Sequence, residues 1–537
     1  QAGDAVAVAA YAPAAARRAA ALQSHRAAAA HYEQALSVPE QFTTADLAGL
    51  LEQYARECRA LARHQDALRA VHRSIELTGD DAEDRGRRLC LHSELLMLVG
   101  RRAEAEEAAV AATAILHDAP PGAALADAYA QRARQVMISE RPSEALYWGE
   151  RARSLAAQVG DATALAHIEV TLGMARWQLD PDDWEYLAGC LERSKQAGIT
   201  YAAARAHVNL AHGNTQLMRY AEAEHFIADG LAYCEDSDQL LDSGYLLVSR
   251  AQCHFEQGRW HEAEQDVHRA LDVMGVGHTR LACLWIRSLI QTRRGDQAAR
   301  ETLRLARQCA EDAGDPEGRL RAWAAWAEFD SVSGSSGAVA EATEVPALMA
   351  AAARWSRGVD DAALWLSRAG LLTESPGHLS RPRALQVAGA WRAAAAAFAD
   401  LGRPFDAADA LSDGDDPDAL LEAVEIFNRL GAAARAATVR ERLAAMGVAS
   451  VPRGPRESTR SNPAGLTRRQ AEVLGLLATD LTYQQIADQL HVSIKTVDHH
   501  VTAIRGKLAV RSRADAVAAA RRLGLVPPED GDPLALT

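Results

Sequence analysis

The chain has 537 residues, too many for a single domain of ~150, so several domains or a long repeat array must share it. Hydrophobic residues make up 48%, aromatic 5% and charged 24%, and Ala, the strongest helix former, dominates the apolar share, so an all-α protein is expected. No apolar run nears the ~18–20 residues of a membrane helix, residues 1–20 lack a basic leader before a Leu-rich core, and an evenly spread net charge of −14 would argue against nucleic acid.

Along the first 314 residues one phrase recurs: a turn residue and Arg precede a short Glu-Ala helix start. The copies are Gly100-Arg101-Arg102-Ala103-Glu104-Ala105, Arg141-Pro142-Ser143-Glu144-Ala145, Arg219-Tyr220-Ala221-Glu222-Ala223 and Gly258-Arg259-Trp260-His261-Glu262-Ala263. Weaker partners sit at Ala28 and Ala67, and one degenerate unit lies near 184–194, so the step is about 39 residues. Small or apolar residues follow at i+4 and i+7, as in Ala105-Ala109-Ala112, which places them on one helical face. Each unit is then a helix-turn-helix pair that must stack on its neighbours to bury that face. The pattern resembles tetratricopeptide-like repeats, although the step exceeds 34 residues and most of the first-helix signature is absent. The resemblance implies a solenoid with a concave surface for a protein, a peptide or a small effector.

Residues 315–450 continue as less regular helices, with Ser331-Val332-Ser333-Gly334-Ser335-Ser336-Gly337 expected to be a flexible loop. All ten tryptophans lie before residue 392, among them Trp323, Trp326, Trp355 and Trp365, and are expected in the core. The seven cysteines are odd in number and never form C-x-x-C pairs, so neither a disulfide framework nor a zinc site is expected.

Residues 451–463 (Val451-Pro452-Arg453-Gly454-Pro455-Arg456 to Pro463) read as a basic linker. From 463 to 528 nine basic residues face five acidic ones, a net +4, which leaves −18 on the rest. Within 464–527, Thr467-Arg468-Arg469-Gln470 and Thr482-Tyr483-Gln484-Gln485 are capping boxes that each open a helix, and Ser493 caps a third. In that third helix Ile494, Val497, Val501, Ile504 and Leu508 form one apolar stripe, while Lys495, Asp498, His499, Thr502 and Arg505 occupy the opposite face. A fourth helix is expected over 514–523, and residues 528–537 are expected to be a disordered tail. Two short helices joined by a tight turn, the second presenting polar side chains, suit a DNA-binding helix-turn-helix.

Leu466-Thr467-Arg468-Arg469-Gln470-Ala471-Glu472-Val473-Leu474, Gln485-Ile486-Ala487, Val492 to Val501 and Lys507-Leu508-Ala509-Val510-Arg511-Ser512-Arg513 resemble the LuxR-type helix-turn-helix family. That resemblance implies double-stranded DNA as partner, with Asp498, His499 and Thr502 as base-edge candidates. Phosphate candidates are Thr467, Gln484, Gln485, Lys495, Thr496, Lys507, Arg511 and Arg513, and a homodimer on DNA would meet near Val517 and Ala520. Asp498 could accept from a cytosine amino group or stand as a solvated charge. Three positions depart from the family: Gln470 for Glu, Asp480 for a turn Gly, and Ala509 for Gly.

Upstream, residues from Ala14 onward, with Gly389-Ala390-Trp391-Arg392 to Phe398 and Arg453-Gly454-Pro455-Arg456, resemble the C-terminal half of the large ATP-binding LuxR regulators related to the maltose regulator. Those carry an ATPase module ahead of their repeats. No G-x-x-x-x-G-K-[ST] occurs here, so no cofactor is expected in this chain, and a start at Gln1 in mid-pattern suggests a chain read incompletely. G-x-S-x-G and H-E-x-x-H are also absent, and His499-His500 diverge by about 100° on a helix, so neither an enzyme nor a metal site is expected. The expectation is a cytoplasmic, nucleoid-associated regulator, most simply an activator. The alternative is a solenoid scaffold with a vestigial DNA-binding domain.

Overall fold

The computed structural model describes residues 5–22, 24–237, 239–352, 356–448, 464–508, 510 and 512–526. The expected linker 451–463 and tail 528–537 lie outside these, as do Trp355, Ala509 and Arg511. Every regular element among the described residues is a helix.

The array begins as antiparallel pairs: α1 and α2 (Ala5–Ala21, His25–Leu36), α3 and α4 (Thr44–Ala60, His64–Glu76), α5 and α6 (Ala82–Leu98, Arg102–Ile115), and α7 and α8 (Ala123–Ile138, Pro142–Val159). It continues through α9 and α10 (Ala162–Leu179, Trp184–Gln196), α11 and α12 (Thr200–Gln216, Tyr220–Asp236), α13 and α14 (Leu240–Glu256, Trp260–Met274), and α15 and α16 (Gly277–Arg294, Ala299–Ala313). Then come α17 (Pro316–Ser333), the short α18 and α19 (Gly337–Ala340, Val345–Ala351), α20 (Arg357–Arg368), α21 and α22 (Arg381–Val387, Trp391–Asp400), α23 (Pro404–Leu411), and α24 and α25 (Pro417–Leu430, Ala433–Ala445). From α5 to α15 each odd helix also packs on the next odd one, so these helices line one wall.

The recurrent phrase has a backbone cause. The residue before each Arg adopts a left-handed conformation, and the Arg amide donates to the carbonyl five residues back: Arg63 to Cys58, Arg101 to Leu96, Arg141 to Val136, Arg219 to Asn214 and Arg259 to His254. This is the Schellman closure of a helix end. Only Gly100 and Gly258 serve it as glycines; Ala62, Glu140 and Met218 take φ of 57–59° at a cost of about 1 kcal/mol each. The acid three residues after the Arg sits in the first helical turn, where the helix dipole favours it, and pairs back in Arg63–Asp66, Arg101–Glu104 and Arg141–Glu144. The alanine next to that acid is where a neighbouring helix presses in: Ala67, Ala105, Ala145, Ala223 and Ala263 are fully buried, as is Ala28. In the degenerate unit Leu187 holds the place.

Two expectations for 315–450 change. The same turn returns at Gly389-Ala390 and Gly431-Ala432, each followed by a buried alanine, Ala394 and Ala436, so repeat geometry resumes there. Ser331 to Gly337 is not a free loop: it ends α17, passes Gly334 and starts α18, because the buried Asp330 carboxylate accepts from the Ala338 amide at 2.8 Å. Trp323 donates to the Ala338 carbonyl at 2.9 Å across the same corner. The final helices do not extend the array. Phe398, Phe405 and Phe427 pack with Phe255, Trp260, Ile286 and Leu289 of α13–α15 in one core, so the chain returns onto its own repeats. The cysteines are free thiols, five of them buried.

Candidate nucleic-acid interface

The C-terminal domain comprises α26 (Arg468–Ala478), α27 (Tyr483–Gln489), α28 (Ile494–Lys507) and α29 (Arg513–Arg522). Both capping boxes form. Thr467 Oγ1 accepts from the Gln470 amide at 3.2 Å while Gln470 Oε1 accepts from the Thr467 amide at 2.9 Å, so Gln serves where the family has Glu. The Thr482–Gln485 box is equivalent, and Ser493 Oγ accepts from the Thr496 amide at 3.1 Å. A third box, Ser512–Asp515, opens α29; its S-x-x-D spacing was available to a sequence reading.

Leu466, Val473, Leu474, Leu477, Ile486, Val497, Val501 and Ile504 close a small core with Ala516, Ala520 and Val526. Two tight turns space the helices, and each uses a non-glycine residue at positive φ: Asp480 at 59° and His491 at 52°. Asp480 therefore holds the conformation for which the family uses Gly, at about 1 kcal/mol.

With Val497, Val501 and Ile504 turned inward, Lys495, Asp498, His499 and Thr502 form one exposed stripe along α28. Ile494 departs from its expected place. It is 46% exposed and joins that outer face, because the buried positions of α28 start only at Val497. Burial, with His499 and Arg469 nearby, holds the His500 imidazole below its ordinary pKa.

The phosphate candidates divide. Thr467, Gln484, Gln485 and Lys495 are exposed, although Gln484 donates to Asp488 at 2.9 Å and Gln485 serves its capping box. Thr496 is half-buried, with its hydroxyl 2.8 Å from Ser493 Oγ. Lys507 has structural partners: its ammonium donates to the Gly465 carbonyl at 2.6 Å and to Gln470 Oε1 at 2.8 Å, tying the end of α28 to the start of α26. Arg513 likewise donates to the Leu477 and Leu481 carbonyls, and Arg469, which was not singled out, to the Leu490 carbonyl at 2.6 Å. These three arrangements brace the corners that orient α28. Of the dimer candidates, Ala520 is fully buried in the domain's own core and has no surface for a second copy, whereas Val517 is only half-buried.

The solenoid carries a second polar concentration on its wall of odd helices. Glu94 of α5 accepts from Arg59 of α3 at 3.2 Å, Arg134 of α7 at 3.3 Å and Tyr201 of α11 at 3.2 Å, and Arg59 lies over the Tyr201 ring. Burial alone would raise the Glu94 carboxyl, but Arg59 and Arg134 hold it down at about 2. Nearby, Arg205 bonds only to neutral groups, Thr171 Oγ1 at 3.1 Å and the His167 carbonyl at 3.5 Å. Burial and Arg134 depress Arg205 to about 10. The Asp242 carboxyl of α13, 6% exposed, is pushed up to about 6 by burial against the pull of Arg205, Arg134 and Arg59, with Glu94 adding to the rise.

A folded pKa above the ordinary aspartate value of 3.8 favours the protonated form, so this contribution is present below pH ~4 and is lost as pH rises through 6. Asp242→Asn is therefore expected to stabilise the solenoid by about 1–3 kcal/mol at pH 7.5 and to leave it unchanged near pH 4. Thermal unfolding at the two pH values checks this; equal shifts at both would refute it. Among the described residues no group of three or more His, Cys, Asp or Glu gathers as a metal site, and no helix is long and apolar enough to cross a membrane.

Four helices, three opened by capping boxes and the fourth by the Ser493 N-cap, with an exposed polar stripe on the helix after a tight turn, define a helix-turn-helix DNA-binding domain. Residues 464–520 match the family model described as "Bacterial regulatory proteins, luxR family", and the chain belongs to that family through this domain. It is 42% identical over 59 residues to the spore germination protein GerE of Bacillus subtilis, which covers 11% of this chain and 80% of GerE. It is 43% identical over 61 residues to the transcriptional regulatory protein LiaR of Bacillus subtilis (11% of this chain, 29% of LiaR) and 46% over 52 residues to the response regulator VraR of Staphylococcus aureus strain Mu3 (10% and 25%). The chain thus spans under a third of LiaR and VraR. Among solved structures, a Rap protein complexed with competence and sporulation factor aligns over 53% of this chain and 81% of its own, at 13% identity and a TM-score of 0.42.

Proposed function

We propose that the protein is a sequence-specific transcriptional regulator, acting as an activator, in which α28 enters the major groove and the solenoid receives the signal. The observation that carries the reading is the exposed stripe Lys495, Asp498, His499 and Thr502, set opposite the buried Val497, Val501 and Ile504. Such side chains alone can reach base edges while the core stays closed. The local +4 charge within an acidic chain directs phosphate to this end. Two copies bind a two-fold site, with Val517 and the exposed side of α29 at their contact. The signal is a protein or small-molecule effector on the solenoid, whose wall of buried charge from α3 to α13 supports a receiving role.

Selection from random duplexes supplies an operator, and anisotropy titration of the full chain at two salt concentrations tests the reading. His499→Ala and Thr502→Ala are each expected to weaken the operator by ~1–3 kcal/mol and to relax base preference, with little effect on unrelated duplex. Lys495→Ala is expected to weaken all duplexes and to flatten the salt slope by about one. Lys507→Ala, whose ammonium is engaged inside the domain, is expected to lower domain stability with a smaller change of slope. Absence of any duplex affinity in the full chain would favour a scaffold role and overturn this one.

A further inference from the structure

Where the returning helices meet the array, a cavity of about 30 Å³ lies between α13, α15 and α17 on one side and α20, α21 and α23 on the other. That is room for one or two water-sized groups. Its wall carries four guanidinium groups and five carboxylates (Glu256, Glu328, Asp361, Asp406 and Asp409), and the arginines are not equally provided for. Arg293 is paired with Glu328 at 2.8 Å, and Arg403 with Asp406 at 2.8 Å. Arg357 is different. It is 5% exposed, its Nε and Nη1 donors have no hydrogen-bond partner, and its nearest carboxylate oxygens are 3.6 Å away on Glu256 and 3.9 Å away on Asp360. Glu256 is already engaged by the Tyr220 hydroxyl and by Gln252 Nε2 at 3.0 Å. Arg383, also on the cavity wall, gives Nη1 to Gln386 Oε1 at 2.5 Å and Nη2 to Asp361 at 3.1 Å and Asp406 at 3.3 Å, and leaves only Nε without a partner.

A guanidinium cannot shed its charge by deprotonation, and each buried donor left unmade keeps its full desolvation cost. Two such groups on one small cavity are explained by an acceptor that this chain does not itself supply. We propose that this cavity binds a small oxyanion, a compact carboxylate or phosphate group of a metabolite, through the unpartnered donors of Arg357 and Arg383. Planar forks of this kind match the geometry of either anion. The occupant touches the array through α13, α15 and α17 and the returning helices through α20 and α21, so binding fastens the two together. The inference deepens the receiver reading by naming the chemistry of its small-molecule signal, but its test reads binding to the solenoid and fails or succeeds independently of DNA affinity.

The test titrates the full chain with inorganic phosphate and, separately, acetate, at constant ionic strength against chloride. Binding is read by the fluorescence of Trp285 and Trp365 on the cavity wall and by thermal shift. A saturable response to at least one anion, with a raised melting temperature, is expected, and the two arms distinguish phosphate from carboxylate. Ala324→Val fills the cavity while leaving every charge in place and is expected to weaken binding at least ~10-fold; Arg357→Gln is expected to do the same. Should Arg357→Gln unfold, Ala324→Val alone decides. No saturable response to either anion, or equal affinity in the Ala324→Val variant, would overturn the proposal.

Discussion

Arg293→Met is expected to destabilise the solenoid by about 3–5 kcal/mol, seen as a lower midpoint of urea unfolding. Arg293 and Glu328 meet in two hydrogen bonds of 2.8 and 3.1 Å, both largely withdrawn from water. The guanidinium also lies 3.5 Å from the centre of the Phe405 ring and 4.6 Å from that of Phe255, so one side chain joins α15, α17, α13 and α23. Met replaces the apolar stem and removes the charge, which strands a carboxylate in a core it cannot leave. The cost is that of an unpaired buried charge rather than of a lost contact, so Arg293→Met/Glu328→Leu should recover most of the loss. A single variant within about 1 kcal/mol of the parent would show that water reaches Glu328 and that the pair does not lock the returning helices.

Gly277→Ala is expected to open a contact between distant repeats, at about 3 kcal/mol or more. Gly277 starts α15 at φ +55°, and a Cβ there would lie 2.3 Å from the Leu98 carbonyl oxygen and 3.1 Å from the Gly100 nitrogen. These are backbone atoms of the α5–α6 turn and cannot rotate away. The ion pair of Arg102 with Asp315, 2.8 Å, lies beside the same junction and would be strained with it. Gly314→Ala is the control: its φ is +63° but nothing lies within 4 Å of the added carbon, so it should cost only about 1 kcal/mol. Hydrogen exchange should show protection lost on both sides of the junction, around residues 96–105 and 276–282, in the first variant alone. Equal behaviour of the two variants would mean that the left-handed backbone, and not the close approach, sets the cost.

The C-terminal domain was legible almost residue by residue because its determinants are local. A hydroxyl and a carboxamide three residues apart make a capping box whatever the rest of the chain does, and a 3.6-residue apolar period sets which side of α28 faces inward. Where that logic failed, the neighbours of a helix end were at issue. Ile494 has the right phase for the core but precedes its first buried turn, and Ala520 is small enough to vanish inside the domain instead of meeting a partner. Lys507 and Arg513 read as phosphate ligands because cations near helix ends usually are; the carbonyls that hold them are 32 to 42 residues away in sequence.

The array was legible as an array, but its turns were partly hidden. Ala62, Glu140 and Met218 take left-handed conformations that a reader expects of glycine, so the turn residue itself is hidden at those three positions. The sequence by itself determined the helical class, the stacking alanines, the reversal of charge after residue 463 and which side of α28 faces outward, since propensity, periodicity and capping act within a few residues. The tertiary structure alone decided that Gly100 meets Gly277, that the last helices return onto α13–α15, and that Arg357 is buried with its nearest carboxylate oxygens 3.6 and 3.9 Å away, beyond hydrogen-bond distance. Those outcomes accumulate from a small rotation at each repeat, and no local spacing encodes the sum.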